Sequence, residues 1–299
     1  MHAIELKGVG FNRRDSFEIR DLDILVPHGS IYGFLGPNGS GKTTTIRMIL
    51  GMLRATRGTI RVLGHDIPRE SARVMVDTAY VPERSHLYPQ LSIRRALRFH
   101  SSFYPSWDEH TAQRLIKWFG LNLDQKVGKL SKGQSGQLLI LLALAQRPNL
   151  LVLDEPTDGL DPVIRRMVLS SVLDYVADSG CTVFISSHLV HELERICDWV
   201  GVLDNGSLVA ELPMHSFKNG IKRLRIENPP PRDGDTPFSV LSTRGGDIVA
   251  GVETWIVRGW QEPMKQYFDG AGGRLVDVVD LDLEEAFVEL LSSARVEEM

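Results

Sequence analysis

The sequence predicts an α/β fold, a parallel sheet with helices on its faces, followed by a small α+β domain. Three observations predict it. The compact apolar runs Ile31-Tyr32-Gly33-Phe34-Leu35, Leu150-Leu151-Val152-Leu153 and Thr182-Val183-Phe184-Ile185-Ser186 have the length of strands buried on both faces. Segments of helical periodicity alternate with them, which is the order that builds a parallel sheet. Around Leu212-Pro213 the pattern changes to short strands, broken by Pro229-Pro230-Pro231 and Gly245-Gly246.

Taken in order, residues 4–10 and 17–26 alternate enough to be strands leading into 31–35. A glycine-rich loop follows, then a helix from about Thr43 to Leu50 with Gly51 placed to stop it. Residues 92–119 are expected to be helical. Ser92 and Asp108 are candidate N-caps, and Ala112, Leu115, Ile116 and Phe119 form one apolar face before Gly120. A further helix is expected from about Gln134 to Gln146. The longest apolar run, Leu138 to Ala145, lies inside it and suits a core helix better than a membrane span. In the C-terminal part, strands within 221–259 precede a short helix near 262–269, a strand at 274–279 and an amphipathic helix at 283–293. The expected domains are therefore 1–212 and, at 221–299, a small accessory or dimerisation domain.

The 299 residues are 42% hydrophobic and 24% charged, with a net charge of −4. That balance suits a globular protein and lacks the basic excess that draws a protein to a phosphate backbone, so no nucleic-acid partner is expected. The first residues, Met1-His2-Ala3-Ile4-Glu5, have neither the charged nor the apolar region of a secretory signal. A cytoplasmic location is expected, with membrane contact only through a partner. Cys181 and Cys197 fit no metal spacing and are expected to be reduced core residues.

Chemistry enters with Gly36-Pro37-Asn38-Gly39-Ser40-Gly41-Lys42-Thr43, which fits G-x-x-x-x-G-K-[ST] and sits between a strand and a helix. Glycines let such a loop wrap its N–H groups around phosphate oxygens, and the helix adds its positive end. Lys42 is expected at the β- and γ-phosphates and the Thr43 hydroxyl at Mg²⁺. The strand 150–153 then delivers Asp154 and Glu155. Asp154 would support Mg²⁺, and Glu155, on the other side of the pleat, would polarise the attacking water.

Leu130-Ser131-Lys132-Gly133-Gln134 narrows the class. Here the chain resembles the ABC ATPase family, whose signature is Leu-Ser-Gly-Gly-Gln. Other marks of that family follow in order. Asp158-Gly159-Leu160-Asp161 looks like the D-loop, His188 like the switch histidine, and Glu83 stands where a glutamine is usual. Phe11 stands near the aromatic that stacks on adenine, with Phe17 a rival. The resemblance covers residues 1 to about 212 and implies a P-loop NTPase fold with a helical subdomain at about 86–130.

It also implies ATP and Mg²⁺ as cofactors. Nucleotide contacts would come from Phe11, the loop from Gly36 to Thr44, and Glu83. Ser131, Gly133, Gln134 and Asp161 would serve the nucleotide of a facing subunit. Thr43, Asp154 and Glu83 would serve the metal; Glu155, His188 and Lys42 would be catalytic. Two subunits would dimerise head to tail, the partner being a second copy or a paralogue, and would drive an integral-membrane permease. The end of the chain, from Asp280 to Leu290, is similar to the tail of ABC-2-type exporter ATPases, so export is the expected direction. The competing expectation is a soluble member acting on a macromolecular complex. A single P-loop, no sustained heptads and a negative charge weigh against it.

Two positions depart from the family. Lys132 replaces the first signature glycine, which would strain the backbone if φ > 0 were needed there. Glu83 keeps an oxygen for the metal but adds a negative charge.

Overall fold

The computed structural model describes residues 2–13, 17–84, 86–230, 236–245, 251–270 and 272–297. Pro231 and Gly246, two of the expected strand breakers, lie outside the described residues. The chain opens with strands β1 (His2–Arg13), β2 (Phe17–Pro27) and β3 (Ile31–Leu35), then helix α1 (Lys42–Ile49). Strands β4 (Arg57–Val62) and β5 (His65–Ile67), helix α2 (Ser71–Val76) and strand β6 (Thr78–Val81) follow. A helical stretch comes next: α3 (Ile93–Ser101), α4 (Glu109–Phe119) and α5 (Lys132–Ala145). The chain continues through β7 (Leu150–Asp154), α6 (Pro162–Ser179), β8 (Thr182–Ser187), α7 (Val190–Leu193), β9 (Trp199–Asp204) and β10 (Ser207–Pro213). It ends with α8 (Met214–Gly220), β11 (Ile221–Glu227), β12 (Ser239–Gly245), β13 (Val252–Arg258), α9 (Lys265–Gly270), β14 (Arg274–Asp280) and α10 (Leu283–Glu297).

The chain folds as two compact units. The first holds residues 1–189 and 195–208; the second holds Val190–Glu194 and everything from Val209 onward. The second unit is thus built from two stretches of chain.

In the first unit β1 and β2 do not join the parallel sheet. They form a separate antiparallel sheet in the order β2-β1-β4-β5. The alternation in β2, with Ile19, Leu22, Ile24 and Val26 fully buried, is what one covered face produces. The second sheet of this unit holds β9-β3-β8-β7-β6 in that order, all paired parallel. Its central strands β3, β7 and β8 are buried along their whole length, as unbroken apolar runs require. Tyr32 stacks on Phe184 at 5.4 Å between ring centres, and Phe34 lies 5.2 Å from the same ring.

Helices α3 and α4 start at the caps expected of them. The Ser92 and Asp108 side chains accept from the Arg95 and Thr111 backbone N–H groups, and Gly120 ends α4 at φ 63°. Helix α5 starts at Lys132, two residues before the expected start. Ser131 and Gln134 form a capping box there, each side chain accepting from the other's N–H at 3.1 Å. Gln137 and every residue from Leu138 to Ala145 except Leu139 are buried.

The second unit has its own sheet, β12-β13-β11-β14, all pairs antiparallel. Its core gathers Leu224, Ile226, Phe238, Trp255, Val257, Trp260 and Phe268. The stripe Leu283, Ala286, Phe287 and Leu290 on α10 is buried, and α10 packs on β12, α7 and α8 of the same unit.

Candidate functional site

Register places the site. Leu35 pairs with Ser187, and Asp154 with Ser186, so β3, β7 and β8 end level with one another. The loops that leave them carry residues 36–43, Glu155 and His188 to the same carboxyl edge of the sheet, where ligands bind in open α/β folds.

The loop after β3 is built to stay close to its own backbone. Gly41 has φ 115°, and a Cβ there would come within 2.5 Å of Ile19 Cδ1 and 2.8 Å of Phe17 Cζ. Only glycine fits that position. A side chain at Gly36 would collide with the Leu203 carbonyl and the Ser40 hydroxyl. The Lys42 ammonium is buried and donates to the carbonyls of Gly36 at 2.7 Å and Pro37 at 3.2 Å. It also lies 3.1 Å from Glu155 Oε1. At the start of α1 the N–H groups of Lys42, Thr43 and Thr44 precede the first turn's carbonyls, the arrangement that receives an anion.

Asp154 is the last residue of β7 and is almost wholly buried. Its Oδ1 accepts from Ser186 Oγ at 2.8 Å and Thr43 Oγ1 at 3.2 Å, while its Oδ2 is buried without a hydrogen-bond partner. Burial pushes its carboxyl above the usual range. The two hydroxyl bonds oppose that, and the charges of Glu155 and Glu83 add to it. Tyr80 on β6 is pushed up to about 12, first by burial and then by the Asp154 charge, so it is a neutral phenol at any working pH.

Glu155 begins the turn after β7 rather than continuing the pleat. Its φ is 49°, its N–H donates to Ser186 Oγ at 3.0 Å, and its carboxylate is turned toward β8. A left-handed non-glycine backbone, not strand alternation, separates its direction from that of Asp154. Glu155 Oε2 accepts from the His188 backbone N–H at 3.3 Å and lies 2.9 Å from His188 Nδ1. The carboxylate is thus held between Lys42 and His188.

Phe11, Phe17, Lys42, Thr43, Thr44, Glu155 and His188 border one cleft of about 910 Å³, with Asn38, Gly39, Gly41 and Glu83 on its rim. Both aromatic candidates are therefore present: Phe11 and Phe17 lie on the same face of the paired strands, Phe11 opposite Ile19 and Phe17 opposite Arg13. Ser131, Gly133, Gln134 and Asp161 are not in that lining. Asp161 instead caps α6, its Oδ1 accepting from the N–H groups of Val163 and Ile164 at 3.0 Å. Lys132 is the first residue of α5 with a negative φ, so the strain that a side chain there threatened does not arise.

Sequence reasoning missed Ser186 and Tyr80, and it placed Asp158 in the D-loop motif without a contact of its own. Ser186 bridges Asp154 and the Glu155 N–H. Its signal was a hydroxyl at the end of the strand that pairs with the acid-bearing strand. Asp158, in the turn after Glu155, borders the cleft as well.

The donor set fits Mg²⁺. A buried carboxylate oxygen without a partner, a threonine hydroxyl beside it and two further carboxylates leave the site short of positive charge. No group of three ligating side chains occurs among the described residues. Magnesium needs no such group, because it keeps waters and leans on phosphate oxygens.

The molecule has known counterparts. The family described as ABC transporter matches residues 19–158. The bacitracin transport ATP-binding protein BcrA of Bacillus licheniformis is 36% identical over 209 residues, 69% of this chain and 68% of that protein. The Nod factor export ATP-binding protein I of Burkholderia orbicola is 33% identical over 258 residues, 82% of this chain and 84% of that protein, a span that enters the second unit. A solved ATP-binding subunit of an ABC transporter matches with a TM-score of 0.65 at 27% identity, covering 72% of this chain and 92% of that one.

Proposed function

The chain belongs to the ABC transporter family of ATP-binding proteins, and from that premise we propose that it hydrolyses Mg-ATP to power export through a separate membrane permease. The observation that carries the reading is Glu155, held between Lys42 and His188 beside the phosphate loop. Its carboxylate is placed to accept a proton from the attacking water as the new bond to the γ-phosphorus forms and ADP leaves. Lys42, freed toward the phosphates, neutralises charge that builds on their oxygens. His188 fixes the Glu155 carboxylate through two contacts and faces the same cleft. Magnesium supplies charge neutralisation at the phosphate oxygens; Thr43 and Asp154 would hold it, with Glu83 nearby.

Two subunits and a permease complete the reading. Ser131, Gly133 and Gln134 begin α5 outside the lining of their own cleft, which favours service to a neighbour's nucleotide. The partner is a second copy or a paralogue. Among the described residues no helix is long and apolar enough to cross a membrane, so the reading puts passage of the cargo on the permease. The protein would then work at the cytoplasmic face. Export as the direction follows the Nod factor export relative.

Glu155→Gln tests this directly. Glutamine keeps the shape but is too weak a base, so hydrolysis should fall by roughly two orders of magnitude or more while ATP binding persists. Sedimentation should show the variant accumulating as an ATP-bound dimer. Near-normal turnover would remove Glu155 from the catalytic role.

A further inference from the structure

Lys132 and Asp158 stand 26 positions apart, yet Lys132 Nζ donates to Asp158 Oδ2 at 2.9 Å. One belongs to the first turn of α5; the other belongs to the turn that follows β7. We propose that this pair is a strut that ties the Ser131–Gln134 turn to the Glu155–Leu160 turn and makes Lys132 a positioning residue for hydrolysis. The inference rests on the ATPase reading for its consequence, but not for its geometry.

Three observations build it. First, the contact acts on the Asp158 carboxylate. The hydrogen bond from Lys132 is the largest influence holding the Asp158 carboxyl below its usual range, and the His188 and Arg165 charges act in the same direction. Second, room is made for the lysine stem. Gly159 has φ 63°, and a Cβ there would collide with Lys132 Nζ and lie 3.2 Å from Cε and 3.4 Å from Cδ. The glycine serves the turn and clears the path of the side chain at once. Third, the turn it braces is bonded along its own length and to Arg165 of α6, whose guanidinium donates to the Leu160 carbonyl at 3.3 Å, so the strut adds a tie to a different helix, α5. The Asp158 N–H donates to the Glu155 carbonyl and the Leu160 N–H to the Thr157 carbonyl, both at 3.2 Å. Asp158 also borders the cleft beside Glu155 and His188.

An ion pair this exposed adds little to global stability, because water screens it. Its use is directional. Glu155 enters the turn at φ 49°, so a shift of the turn re-aims the carboxylate that takes the proton. The far end of the strut is the turn that would meet the facing subunit's nucleotide. Lys132 therefore carries the state of one site to the carboxylate of the other, a task that a glycine at 132 has no atoms to perform.

The test uses the full chain with K132M, D158N, the double variant, K132R and the charge swap K132D/D158K. ATP turnover is measured beside amide exchange of residues 157–160 without nucleotide. Each neutralising single variant should lower kcat about threefold, with KM for ATP moving less than about twofold and the melting temperature unchanged. The double variant should fall no further than either single one. K132R and the charge swap should recover most of the loss. Exchange at Asp158 and Leu160 should quicken in both neutral singles and slow again in the swap and in K132R. Additive losses, or exchange that no variant alters, overturn the strut. So does a silent D158N beside an impaired K132M, which would mean that the lysine acts alone. If the wild-type chain hydrolyses no ATP, the ATPase reading fails and the exchange rates by themselves decide the strut.

Discussion

Asp154 shows how one residue can oppose stability while serving a site. Its carboxyl is buried, half satisfied and raised in pKa, so the charged form is disfavoured in the folded protein. The sign follows from linkage. A carboxyl raised on folding contributes stability that is complete below its unfolded value and is lost as pH rises through the folded one. Without metal the wild type takes on that loss as pH rises above the unfolded value. Asp154→Asn removes it, so the metal-free variant should melt higher than wild type near neutrality and should lack this part of the acid-side pH dependence. Calorimetry from pH 4 to 8 without Mg²⁺ reads both effects. The same variant should lose Mg²⁺-dependent turnover by at least roughly a hundredfold, since the proposed reading makes Asp154 a ligand of the metal. A variant that melts lower at every pH would show that the Ser186 and Thr43 bonds outweigh the buried charge.

Among the elements, α5 combines a core role with a functional end. From Gln137 to Ala145 it is almost entirely buried, while its first turn is exposed and held by the Ser131–Gln134 box. Ser131→Ala should cost about 1 kcal/mol in urea unfolding, the usual loss of an N-cap, and Ser131→Thr should keep most of it. The helices, caps and central strands were legible because their signals are local: Ser92 and Asp108 before apolar periodicity, and unbroken runs for β3, β7 and β8. The start of α5 was read two residues late because Lys132-Gly133 looks like a loop until the capping box is seen closing over it. Sheet membership of β1 and β2 was not legible. Alternation announces a strand, but only the pairing with β4 and β5, at a distance of about fifty residues, says which sheet it joins. In the site, residues in named motifs were legible. Ser186 and the contact between Lys132 and Asp158 were not, because each depends on a neighbour far along the chain.

For the whole molecule, the two units divide the work unevenly. Every residue bordering the cleft belongs to the first unit, whereas the aromatic core around Trp255 and Phe268 sustains the second. A chain ending at Pro213 should therefore still bind Mg-ATP with unchanged affinity, as titration calorimetry would show; loss of binding would place part of the site beyond residue 213. The α10 stripe is buried within its own unit. The division of the second unit into two stretches has a consequence in time. Ribosomes make Val190–Glu194 well before the rest of that unit, and α10, which packs on α7, comes much later in the chain. For the interval between, the residues just after His188 have left the tunnel without the helix that will cover them. A message broken between the cleft motifs and α10 would yield a chain with those motifs intact and that segment bare, a natural target for quality-control proteases.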